Sequence, residues 1–462
     1  MRKLWVLAAL CAAQFMAIVN ISVVNVALPA MQVELDTTLA GLQWVLNAFT
    51  ICISALTLAG GSLGDRFGRR RVFVFGLFGF ILGSAVCAVS TNLSLLIAGR
   101  VIQGVAAALV VPGSLSILAQ TFKDPTERAR KIGIWAAVSA VGLVVGPVIG
   151  GVFIQAFGWQ SLFWLSVPLG AAALIATMVF VPESADPEHA ALDPLGQVLA
   201  VAALGALSFG LIRFGDHGWG DPVALATVGA AVVAFAVFVR VELRSSAPML
   251  PVRLFADRGF AAMNFASASL GFGPYTMYAF LALYLQQVRD FSALTAGLAF
   301  VPMSVATAIV APLAGRWAGS AGPVPAMLAG YGSSAVGLAG VVLFDANTSW
   351  WVMGPVFVLI GVGMGLSMTP TTNGAVDAVS RERSGIASAT INTTRQTGLA
   401  MGIALLGALV SAQDDFVTGL HLVAVITAAV SLLAVVYILL GRAGSRPKTP
   451  IVEVAVPASS AP

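Results

Sequence analysis

The chain has 462 residues, 58% of them hydrophobic and only 10% charged, with a mean hydropathy of +0.94. Soluble domains carry roughly 25% charged residues, so water is excluded as the main solvent and lipid takes its place. The net charge of +4 and pI ≈ 9.2 do not signal nucleic acid, because the basic residues sit in short segments between apolar runs.

A helix needs roughly 20 apolar residues to cross a hydrocarbon core about 30 Å thick. Stretches that meet this are 4–28, 42–61, 72–89, 95–118, 132–157 and 162–181, then 195–214 and 223–241. Six more follow at 260–285, 294–313, 324–344, 352–371, 386–410 and 420–440, giving about fourteen spans. The first outlasts the 7–15 apolar residues of a secretory signal, and Leu10 occupies the place where a lipoprotein signal has a small residue before Cys11. It is therefore read as a span. Cys11, Cys52 and Cys87 lie within apolar runs at no disulfide or metal spacing.

Charge fixes the expected orientation. With the N-terminus inside, twenty of the 24 Lys and Arg fall in cytoplasmic segments, among them Arg66, Arg69, Arg70, Arg71, Lys123, Arg128, Arg381 and Arg383. Arg213 and Arg289 fall outside, and Arg100 and Arg395 within spans. A miscounted span scrambles this asymmetry, so the positive-inside rule supports fourteen spans with both termini cytoplasmic.

The expected organisation is a six-helix bundle over 1–181, a linker with two additional helices over 182–259, a second six-helix bundle over 260–440, and a disordered tail from 441 to 462. Gly and Arg elements recur at equivalent places in the two bundles. Gly64-Asp65-Arg66 after the second span has its counterpart in Gly315-Arg316 after the tenth, and Arg130-Lys131-Ile132-Gly133 in Arg383-Ser384-Gly385. Duplicated halves around a midplane site are common in secondary transporters.

Three motifs carry chemistry. The turn between spans two and three reads Gly61-Ser62-Leu63-Gly64-Asp65-Arg66-Phe67-Gly68-Arg69-Arg70-Arg71, with glycines for a tight reversal and a carboxylate able to take charge-assisted hydrogen bonds. Span four carries Arg100 and Gln103. A charge within a span costs at least ~2.5–3.5 kcal/mol and is a functional hypothesis by default, although Arg100 lies near enough the outer end to snorkel. Span five carries Gly142, Gly146, Pro147, Gly150 and Gly151: glycines every four residues give a smooth packing face, and Pro147 removes a helix hydrogen bond.

These motifs resemble those of the major facilitator superfamily, and with the extra central pair the resemblance narrows to its fourteen-span drug:proton antiporters. The resemblance implies an all-α membrane fold of two six-helix bundles plus two central helices, exporting drugs or antibiotics by alternating access in exchange for protons. It implies that the turn at Gly61, Asp65, Arg66, Gly68, Arg69 and Arg70 is a conformational latch. It implies further that the glycine motif of span five marks antiporters and that the polar run Asn392-Thr393-Thr394-Arg395-Gln396 belongs to the transport path.

One departure stands out. Where the family pattern has an acid in span one, this chain has Asn20, followed by Ser22, Asn25 and Pro29. No Asp or Glu lies deep in any span, and Asn does not titrate. The expected cavity wall comprises Asn20, Asn25, Arg100, Gln103, Asn264, Tyr275, Asn392, Arg395 and Gln396. With two arginines and no acid, it suits an apolar neutral or anionic small molecule. Uncoupled or inward transport of a small metabolite is the alternative. Neither cofactor nor metal is expected, and the three histidines, His189, His217 and His421, fall in or near loops, so no enzyme constellation is visible.

Overall fold

The computed structural model describes residues 2–185, 193–245, 248–250, 252–379 and 384–444. The expected tail beyond 444, and Arg381 and Arg383, lie outside the described residues. Fourteen helical passes follow in order: α1 Arg2–Glu34, α2 Leu39–Phe67, α3 Arg69–Ala88, α4 Leu93–Thr121, α5 Pro125–Phe157, α6 Gln160–Phe180, α7 Pro194–His217 and α8 Pro222–Arg244. The remaining six are α9 over 258–288, α10 Ala293–Ala321, α11 Pro323–Leu343, α12 Trp350–Asp377, α13 Ser384–Ser411 and α14 Phe416–Gly444.

Twelve of these are long and apolar enough to cross a membrane. The other two are α9, which is broken by π turns at Gly271–Tyr275 and Tyr284–Val288, and α13, which carries the polar run 392–396. Helix starts follow local chemistry. Asp124, Asp193 and Asp221 each accept a backbone N–H of the following turn, and each precedes a Pro at the first helical position.

Packing exposes the duplication that the motifs only hint at. In the first half α1 packs on α5 and α6, α2 on α4, and α3 on α4 and α6. The second half repeats every pairing: α9 on α13 and α14, α10 on α12, and α11 on α12 and α14. The halves meet reciprocally, α2 against α13 and α5 against α10. The pair α7–α8 leans on α2 and α13 through α7, and α8 turns Val232, Val233 and Phe235 outward, as a lipid-facing helix does.

Side-chain bonds between the halves lie at mid-depth or towards the end away from the termini. Gln43 donates to Ile403 O at 2.6 Å, Gln286 to Val26 O at 3.0 Å, and Gln287 to Gln32 at 2.6 Å. Ser54, at mid-depth, donates to Thr393 O at 3.3 Å and shares a 2.8 Å bond with Thr397. Among the described residues no such bond joins the halves at the end that bears the termini.

Candidate functional site

Small residues bring α2, α3 and α4 close enough to enclose a charge. A Cβ on Gly104 would lie 2.6 Å from Phe49 O, and one on Gly83 2.8 Å from Gln103 N. Only glycine permits backbones to approach this closely. Arg100 is held in the resulting crevice at 2% exposure. Snorkelling is thereby excluded. Its Nε donates to Val45 O at 3.1 Å, and its Nη1 to Asn20 Oδ1 at 2.7 Å and Gln103 Oε1 at 2.9 Å. The guanidinium also lies 4.4 Å from the Phe49 ring centroid, within cation–π range.

A second set of bonds holds these acceptors. Gln103 Nε2 donates to Ser84 Oγ at 2.8 Å, and Asn20 Nδ2 to Ser166 Oγ at 3.5 Å. Asn20 and Gln103 therefore stand behind Arg100 and orient it. The cavity itself lies between the halves, about 780 Å³ with its open mouth included. Ile21, Ser22, Asn25, Phe49, Thr50 and Arg100 line it from the first half, and Tyr275, Tyr278, Met303, Ser304, Thr307 and Gln396 from the second. Most of the wall is apolar with a few convergent polar groups, as in small-molecule sites generally.

The remaining candidates fall elsewhere. Asn264 is buried between α9 and α13, donating to Phe260 O at 2.9 Å and accepting from Thr394 at 3.3 Å. Arg395 donates to Asn392 and lies 6.0 Å from the Tyr275 ring centroid. Neither Arg395 nor Asn392 lines the cavity, but Arg395 adjoins its Tyr275 wall. That wall is placed by the π turn at Gly271–Tyr275, which contains Pro274. Gly271 packs directly on the carbonyl of Arg395.

The turn motif is stapled within its own half. Arg69 Nε bonds Asp65 at 2.7 Å, and the backbone N–H groups of Arg70 and Arg71 donate to the Glu183 carboxylate at 3.0 and 3.1 Å. Glu183 thus sits on the positive N-terminal end of α3. Gly68 has φ +104, and a Cβ there would meet that carboxylate at 2.8 Å, so two constraints select glycine. Along α5, Gly142, Gly146 and Gly150 face Ile18, Ser22 and Val23 of α1. Gly151 faces across the halves, where a Cβ would lie 2.6 Å from Ala293 O.

Sequence reasoning missed Glu183, read only as part of a polar linker, and the cross-half donors Gln43, Ser54, Gln286 and Gln287. Gln43 and Ser54 had a visible signal, since both are polar residues within an apolar run. Tyr278, Ser304 and Thr307 were missed as well. Two buried carboxyl groups, Asp193 and Glu242, lie beside Gly196 at the junction of α7 and α8. Neither lines the cavity.

Two like sets of helices around a cavity between them define a multi-pass membrane transporter rather than an enzyme. The chain belongs to the Major Facilitator Superfamily, whose family model matches residues 10–403. It is 34% identical over 408 residues to the methylenomycin A resistance protein of Bacillus subtilis (strain 168), covering 87% of each chain. It is also 34% identical over 398 residues to the multidrug resistance protein Stp of Mycobacterium tuberculosis (strain CDC 1551 / Oshkosh), covering 86% of this chain and 74% of that one. These relatives place it beside the fourteen-span drug exporters. In fold it matches a crystal structure of a POT family transporter with a TM-score of 0.70 at 16% identity, covering 94% of this chain and 96% of that one.

Proposed function

We propose that this chain exports an apolar small molecule, neutral or anionic, by alternating access at the cavity lined by α1, α2 and α4 of one half and α9, α10 and α13 of the other. The observation that carries the reading is the cavity wall, where Asn25, Arg100, Tyr275 and Gln396 offer hydrogen bonds among apolar side chains. The rocking bodies are the two six-helix sets, and both termini face the cytoplasm by the positive-inside asymmetry. The cross-half bonds of Gln43, Gln286 and Gln287 then close the outer end, as an inward-open state requires. Asp65, bonded to Arg69 rather than to the other half, is a latch in its released position. The glycine face of α5 on α1 supports the exporter reading, as do the relatives named for drug and antibiotic resistance.

Exchange against protons is the coupling that the family resemblance implies, and it needs a titratable carrier. A second reading, uncoupled transport, is favoured by a specific observation: among the described residues no Asp, Glu or His lines the cavity. Inverted vesicles containing the protein test the direction. ATP-independent accumulation of an apolar antibiotic inside them is expected. Accumulation only in right-side-out vesicles would make the chain an importer.

A further inference from the structure

A guanidinium carries five N–H donors and no acceptor. In Arg100 three are used, one on Nε by Val45 O and two on Nη1 by Asn20 and Gln103. The two on Nη2 have no partner among the described residues, and Arg100 lines the cavity. All three acceptors are neutral. Among the described residues no carboxylate forms an ion pair with Arg100, and no cavity-lining side chain is acidic. Burying an ion without its counter-charge is expensive. Here the ion is also held in place, because Ser84 and Ser166 fix the two side chains that fix it.

The geometry points to Arg100 Nη2 as the anchor for an anionic group on the transported molecule, and to the membrane potential as the force that expels it. The inference rests on the export reading above and names its substrate class, an apolar monoanion. Asn20 orients the guanidinium without neutralising it, which leaves the cation for the cargo. A carboxylate at position 20 would take the cargo's place. A monoanion leaving a cytoplasm that is electrically negative moves down the field, and about 100 mV supports roughly a 50-fold gradient. No proton is required.

The test uses the purified full chain in proteoliposomes, with 1-pyrenesulfonate as a permanently charged probe and 1-pyrenemethanol as its neutral counterpart. A potassium diffusion potential of about 100 mV, without a pH gradient, is expected to drive sulfonate towards the positive side, approaching roughly 50-fold. A pH gradient alone is expected to drive none. Binding measured by pyrene fluorescence gives the ratio of sulfonate to pyrenemethanol affinity. Arg100→Gln and, independently, Asn20→Asp are each expected to lower that ratio at least tenfold.

Sulfonate flux that follows only the pH gradient, or an affinity ratio unchanged in both variants, overturns the inference. So does pyrenemethanol binding without sulfonate transport, an outcome that leaves the export reading standing. Failure to bind or move either probe, together with no antibiotic accumulation in inverted vesicles, overturns both.

Discussion

Arg100 and Arg395 are the two arginines inside the spans, and the chain treats them differently. Arg100 is enclosed by glycine contacts, bonded to three neutral acceptors and stacked on Phe49. Arg395 is half-buried, bonded to its own helix neighbour Asn392, and lies over Tyr275. The same side chain is a fixed part of the wall in one half and an adjustable group beside the wall in the other. The lesson is that membrane depth alone does not assign a role to a charge. The backbones around it do. A third arginine sharpens the point: Arg213, at the end of α7, meets Asp221 through two bonds of 2.7 and 3.1 Å, the ion pair that Arg100 lacks.

The sharpest test of this contrast is Arg100→Met, which keeps the stem and removes every donor. It leaves the buried carbonyls of Val45, Asn20 and Gln103 without their donor, at a cost of about 3 kcal/mol. Thermal unfolding in detergent should show a clearly lowered midpoint. An unchanged midpoint would mean that the bonds only offset the cost of the buried charge. Gly104→Ala attacks the enclosure instead of the ion, forcing Phe49 and α2 away at about 2 kcal/mol. The same unfolding assay, with sulfonate binding alongside, should show both stability and affinity reduced.

Arg395→Met is the counterpart in the second half. Its stability effect should stay below about 1 kcal/mol, since it removes a single hydrogen bond, to the half-buried Asn392 oxygen, while the transport rate falls through the altered Tyr275 wall. Equal losses at positions 100 and 395 would erase the difference between the two arginines. The smallest effect belongs to Asp221. The hydrogen bond from Arg213 holds its carboxyl below the usual carboxylate range, so the unfolded chain takes up a proton there first. The associated stability is present near neutral pH and above, and is lost as pH falls through the lowered value. Native protein and Asp221→Asn should therefore converge in unfolding midpoint only in strong acid, on a series from pH 7 to 3.

Much of the fold was legible because lipid imposes a simple rule, an apolar stretch of sufficient length, which twelve of the fourteen passes meet. The turn at Gly61–Arg71 and the α5 glycines were legible because their chemistry is local. Rotation of the helices was not. In helices apolar on nearly every face, periodicity no longer marks the inner side. Asn264 and Arg395 were therefore expected on the cavity wall, whereas Tyr278, Ser304 and Thr307 occupy it. Contacts between the halves were equally hidden, since Gln43 and its acceptor Ile403 stand 360 positions apart. Glu183 had no local signal either, because its role exists only once α3 arrives beside the end of α6.

The closure between the halves has a consequence for how such a chain can change over time. Gln43, Ser54 and Gln286 give their hydrogens to the carbonyls of Ile403, Thr393 and Val26. A carbonyl is present whatever side chain a residue bears. The helices receiving these bonds can accumulate substitutions, and with them new cargo preferences, while the gate continues to shut.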